Sequence, residues 1–133
     1  LPFLQVVLGG CSVIPLVVGE ADATEVAHVL DSVWGGPETL ILISSDLSHY
    51  LPYAQARNAD HQTLRSVSAL RPDLTSQQAC GAIPINGLLR IAQTLDIQPN
   101  ILGACNSGDT SHDRSRVVGY AAVAFAHAHH VTH

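Results

Sequence analysis

Thr39-Leu40-Ile41-Leu42-Ile43-Ser44-Ser45-Asp46-Leu47-Ser48-His49-Tyr50 is the stretch that decides how this chain is read. Thr39–Ser44 is apolar on both faces of an extended backbone, the pattern of a central parallel strand covered by helices. Directly after it the chain turns polar and places a carboxyl and an imidazole three residues apart, at Asp46 and His49. In open α/β sheets, ligands bind outside the carboxyl ends of the strands. The stretch therefore predicts an α/β fold, a mostly parallel sheet flanked by helices, with its chemistry at the end of this strand.

The flanking segments extend the alternation. Leu1–Leu8 is short and apolar and stops at Gly9-Gly10, as a helix does at its C-terminus. Cys11–Val18 is β-branched and ends at Gly19; Pro15 makes it an edge strand or a bulged one. Asp22 or Thr24 caps a helix reaching about Val33, with Val26, Val29, Leu30 and Val33 at helical spacing. Asp46 to Pro52 reads as a loop and Ala54–Leu70 as a polar-rich helix with Leu64 and Val67 inward. Thr75 or Ser76 opens a further helical region, and Asn86–Leu95 is amphipathic. Ile101–Cys105 and Val117–Phe125 read as strands separated by a polar loop, and Ala126–His133 as a frayed tail. Helices alternating with strands imply one domain with helices on both sheet faces.

Composition narrows the functions. Of 133 residues, 47% are hydrophobic and 13% charged, against a usual charged share of about 25%. Such a chain buries surface. A net charge of −5 with only six basic residues, all arginine, excludes a nucleic-acid partner, since a row of phosphates could not be neutralised. No run reaches the roughly 18 apolar residues of a membrane span, so no membrane partner is expected. Three cysteines without paired spacing point to a reducing, cytoplasmic setting. The chain contains no methionine, so Leu1 is expected not to be a native start.

Several constellations offer chemistry, each with a plainer alternative. His49 suits a metal ligand or general base oriented by Asp46; equally, Asp46 caps a turn and His49 is a surface residue. Cys80, at a helix boundary beside Gly81, suits a ligand or nucleophile; equally, it is a structural cysteine. Cys11 and Cys105 are expected in the core. The loop Asn106–Arg114 either lines a pocket or is a self-bonded turn, in which Asp113 and Arg114 pair. His127, His129, His130 and His133 form a tract suited to adventitious metal binding. His28 and His61 sit on helices and are expected to face solvent.

Three ordered segments go beyond pattern. S-S-D-L-S-H-Y (44–50), A-C-G-A-I-P-I-N-G-L-L (79–89) and N-S-G-D-T-S-H-D-R-S-R-V-V-G-Y-A-A-V-A-F (106–125) resemble those of the Memo family, also called the AmmeMemoRadiSam system protein B group. The opening L-P-F-L-Q resembles the end of that family's H-x-x-E-x-x-L-P-F-L-Q helix. The resemblance spans essentially this whole chain and the C-terminal half of the family's domain. It implies a fold like class III extradiol dioxygenases, with a pocket at the strand ends. It matches Asp46 and His49 to the family's S-S-D-x-x-H motif, and Cys80 to its pocket cysteine, an iron or copper ligand.

The family's other pocket histidines lie in P-H-A-G and G-x-x-H segments that this chain does not contain. Either the chain associates with itself or a partner to cover the face those segments would fill, or the sequence is part of a longer one. Two functions follow as expectations. One is a metal-dependent redox or dioxygenase-like enzyme using iron or copper, with Asp46 and His49 catalytic and His49 and Cys80 as metal ligands. The other is a non-catalytic protein that binds a small molecule or peptide and acts with radical-SAM and AMMECR1-like partners.

Overall fold

A computed structural model describes residues 2–127. Helix α1 (Pro2–Leu8) leads into a long irregular stretch, and α2 (Ala23–Ser32) follows. Strand β1 (His49–Leu51) runs almost directly into α3 (Tyr53–Ser68). Then come α4 (Ala82–Leu95), β2 (Ile97–Asn106), the single turn α5 (Gly108–Ser111) and β3 (Val117–His127).

The helices form where local chemistry directs them. The Asp22 carboxylate accepts the N–H groups of Thr24 (2.6 Å) and Glu25 (2.9 Å). The Glu25 side chain accepts the Asp22 N–H in return, completing a capping box that starts α2. Val26 and Leu30, one turn apart, are its buried residues. They pack on Leu88 and Ile91 of α4. The other face of α4 carries Leu89, fully buried against Val67, Leu74 and Ala82. Truncating such a leucine to alanine costs about 2–5 kcal/mol. A third cluster, Leu47, Leu64 and Ala79, lies directly beneath the polar loop.

The chain is α/β, as expected, but the sheet is not parallel. The order is β1-β3-β2, and both pairings are antiparallel. β2 and β3 form one long hairpin, from Ile97 opposite His127 to Asn106 opposite Gly119. Thr39–Ser44 and Cys11–Val18, both expected as strands, carry no ladder. A strand exists only with a hydrogen-bonded neighbour. β2 pairs along β3 from Asn106 to Ile97, β1 pairs only with Val117 and Val118, and no described segment pairs with these runs. Their side chains are accordingly exposed at Val13, Ile14, Leu16, Val17, Leu40 and Leu42, while Ile41 and Ile43 pack on the α2–α4 cluster.

Smaller differences have similar causes. Residues 75–79 make turns rather than the start of a helix, and α4 begins only at Ala82. The 46–52 loop contains β1, because β3 supplies it with an edge. Val29 and Val33 share the spacing of Val26 and Leu30 but are exposed. Cys11 and Cys105, expected in the core, are both exposed. His28 and His61 face solvent as expected. Of the histidine tract, His127 ends β3, and His129, His130 and His133 lie outside the described residues. No helix among the described residues is long and apolar enough to cross a membrane.

Candidate metal centre

The loop Ser45–His49 is fixed from below by backbone bonds to β3. The Leu47 N–H donates to the Gly119 carbonyl at 2.8 Å, and the Gly119 N–H donates to the Ser48 carbonyl at 2.9 Å. From α3, the buried Asp60 carboxyl accepts the Ser48 N–H at 2.9 Å. Asp60 lies directly on Gly119, where any Cβ would overlap its carboxyl group. Glycine there is a requirement of space. Leu47 anchors the loop in the apolar cluster with Leu64 and Ala79.

These bonds sort the side chains of the loop into an inner and an outer pair. Leu47 and Ser48 point inward and are buried, whereas Asp46 and His49 remain half-exposed on the outer side. Tyr50 adopts a left-handed backbone (φ 58°) and is 63% exposed. Its ring tilts against the His49 ring, with centroids 5.9 Å apart. The Ser48 hydroxyl is buried with no hydrogen-bond partner.

Cys80 is brought to the same loop from 34 residues away. The Asp46 N–H donates to Cys80 Sγ at 3.2 Å, and the Cys80 N–H donates to the Asp46 carbonyl at 3.3 Å. Next to it, the Gly81 N–H donates to Ser45 Oγ at 2.8 Å. A Cβ on Gly81 would stand 2.8 Å from Ser45 Cβ, so the two segments meet this closely only because one of them is glycine. The loop carrying Cys80 is itself tied to α4. Buried Asn86 accepts the Leu74 N–H (3.0 Å) and donates to the Leu74 carbonyl (2.9 Å).

Asp46, His49 and Cys80 therefore converge, with one carboxylate oxygen, one imidazole nitrogen and the thiol sulfur all within 4.8 Å of one another. His49 Nε2 is 3.6 Å from Asp46 Oδ2. Ligand bonds of about 2.0–2.3 Å put donor atoms some 3–4 Å apart, so small side-chain rotations suffice to close this set on one ion. Oxygen, nitrogen and sulfur together suit a transition metal rather than magnesium or calcium. The N–H donated to Sγ is the kind of outer contact that orients a metal-bound sulfur.

The 106–115 loop proves to be self-bonded. Asn106 Oδ1 accepts the Gly108 N–H and Asp109 Oδ2 accepts the Asn106 N–H, each at 2.9 Å. Asp113 does not pair with Arg114. Its carboxylate accepts the Ser115 hydroxyl and N–H, and these bonds hold it below the usual carboxylate range. Among the contacts that leave the loop, the Tyr53 hydroxyl donates to Asp109 Oδ1 at 2.6 Å. That bond raises the Tyr53 phenol and is also the main cause lowering Asp109.

Reading the sequence singled out Asp46, His49 and Cys80, and the structure brings all three together. It missed Asp60, Gly119, Ser45 and Asn86, which position them. Only Asp60 left a signal. Ala56, Asp60, Leu64 and Val67 recur at i, i+4, i+8 and i+11, one buried stripe of α3, and an acid on such a stripe calls for a partner.

The family model described as "Memo-like protein" matches residues 1–124. The chain belongs to the Memo family. Relatives named "MEMO1 family protein" include one from Metallosphaera sedula, 31% identical across 95% of this chain and 49% of its own length. The Sulfolobus acidocaldarius relative is 33% identical across 94% of this chain and 49% of its own. That from Aquifex aeolicus is 31% identical across 94% and 51%. This Memo chain thus spans about half the length of the relatives it matches.

Proposed function

We propose that Asp46, His49 and Cys80 are this chain's share of a transition-metal pocket in a Memo-family protein with redox or dioxygenase-like activity. The observation that carries the reading is the convergence of three chemically different donors within 4.8 Å. They come from segments 34 residues apart, joined by backbone and side-chain bonds. In this reading His49 and Cys80 are ligands, and Asp46 is a third ligand or the base that orients His49. Iron and copper suit the mixed donor set and would supply one-electron chemistry when bound. The half-exposed Asp46 and His49 are open to an incoming substrate, and the buried Leu47 and Ser48 keep the loop from collapsing into the pocket.

The test is metal analysis of tag-free protein in which His127, His129, His130 and His133 are all asparagine, so that the tract cannot contribute. One equivalent of iron or copper is expected, and His49→Ala with Cys80→Ala should abolish it. Equal metal content in that double variant would refute the site.

A second reading, a non-catalytic binding protein, is favoured by the apolar cleft of about 480 Å³ lined by Trp34, Leu40, Leu42, Leu64, Val67 and Phe125. Cytoplasmic radical-SAM and AMMECR1-like proteins are the partners proposed for it. Their co-purification with the protein would support this reading, and isolation of the protein alone would count against it.

A further inference from the structure

Beside the metal loop lies a face with an unusual concentration of positive charge. The chain has six basic residues and a net charge of −5, yet three of the six, Arg57, Arg114 and Arg116, gather around Tyr50 and Tyr53. The Arg114 guanidinium sits 4.5 Å from the Tyr53 ring centroid and that of Arg57 sits 5.9 Å from the same centroid. The Arg116 guanidinium lies 4.9 Å from the Tyr50 ring. The backbone locks the group together, because the Tyr53 N–H donates to the Arg114 carbonyl at 3.1 Å. β1 meanwhile pairs with β3 directly after Arg116.

None of the three guanidiniums has an ion-pair partner among the described residues. The nearby carboxylates accept hydrogen bonds from other groups. Asp109 accepts from the Tyr53 hydroxyl and the Asn106 N–H, one on each oxygen. Asp113 accepts from Ser115. The Asp109 carboxylate is near enough to Arg57 and Arg114 that both help to lower it, so its single charge offsets part of theirs without forming a direct pair. The guanidiniums lie over aromatic rings, an arrangement that leaves N–H edges available to a ligand. Arginine's planar fork matches an oxyanion through two parallel hydrogen bonds. The shallow groove beneath is lined by Tyr53, Ala54, Arg57, Asn58 and His61.

We infer that this face is an oxyanion-binding site for the carboxylate or phosphate group of a ligand. Arg57 and Arg114 are its direct contacts and Tyr53 is the platform that sets their spacing. Asp109 positions Tyr53 through the hydroxyl bond. Arg116, over Tyr50, extends the positive surface toward His49, whose ring also contacts Tyr50. The inference does not depend on a metal being bound.

The experiment is a titration of isotopically labelled full chain, in chelator-treated chloride buffer, with inorganic phosphate in one arm and succinate in the other. The guanidinium N–H signals are followed by NMR. Saturating shifts at Arg57 and Arg114 are expected. The arm that saturates at lower concentration identifies the ligand as phosphorylated or carboxylic. Arg57→Gln with Arg114→Gln should weaken binding at least tenfold, and Arg65→Gln with Arg90→Gln should leave it unchanged. Arg57→Lys with Arg114→Lys keeps the charge but loses the fork, so it should also weaken binding while preserving the surface charge. Unsaturable shifts spread over all six arginines would overturn the inference. So would parental affinity in either double variant at 57 and 114. Because metal is absent throughout, failure here leaves the metal site untouched, and failure of the metal site leaves this result standing.

Discussion

Gly119→Ala adds one methyl group where the metal loop, β3 and α3 meet. The new Cβ would overlap the Asp60 carboxyl, which is 7% exposed and holds the Ser48 N–H. Asp60 has little room to retreat, since Thr63 and Leu64 on the same helix are buried as well. Overpacking of this kind costs about 1–3 kcal/mol. If the carboxyl yields, its hydrogen bond goes instead, and leaving the buried Ser48 N–H unsatisfied costs about 1–3 kcal/mol. A loss of about 1–3 kcal/mol is therefore expected. With a urea m-value of about 1–3 kcal/mol/M, the unfolding midpoint should fall by on the order of 1 M.

A double-mutant cycle isolates the cause. Asp60→Ala removes the group that the methyl would strike, so Gly119→Ala in that background should cost less than about 0.5 kcal/mol. The interaction energy should then exceed roughly 0.5 kcal/mol. Equal costs in the two backgrounds, within about 0.5 kcal/mol, would refute the steric account of how this loop is held.

Three further outcomes follow from the same geometry. Asn86→Ala strips both hydrogen bonds from the Leu74 backbone and should cost about 2–4 kcal/mol in urea unfolding, two buried backbone groups being left unsatisfied; a loss under about 1 kcal/mol would contradict it. Gly81→Ala forces apart Ser45 and the Cys80 segment and should weaken metal binding several-fold without changing any ligand, so parental metal affinity would count against the closeness of that contact. The bond from Tyr53 to Asp109 requires a protonated phenol and an ionised carboxyl, and it raises the first and lowers the second. Its stabilisation is present between the two values. It is lost as pH falls through the lowered Asp109 pKa, below the ordinary ~3.9, and as pH rises through the raised Tyr53 pKa, above the ordinary ~10. NMR titration should show Tyr53 ionising at lower pH in Asp109→Ala than in the parent, and identical titrations would remove the interaction.

Helices were legible because their signals are local. The Asp22 cap and the 3.6-residue stripes of α3 and α4 are set within a few residues of where they act. Asp46 and His49 were legible as a pair because they share one short turn, and Cys80 because its segment resembles a family motif. Strands could not be read in the same way. Thr39–Ser44 and Val117–Phe125 have similar apolar runs, but only the second finds neighbours, and pairing is a property of two segments rather than one.

The sequence by itself determined the capped and amphipathic helices and singled out Asp46, His49 and Cys80 as candidates. The tertiary structure alone decided that Cys80 would reach Asp46 across 34 residues, and that Asp60 and Gly119, in contact with each other, would together hold the loop. It also gathered three of the six arginines around two tyrosines on one face. Periodicity measures which side of an element a residue lies on, whereas a site depends on distances between elements, and those appear only once the core beneath them has packed.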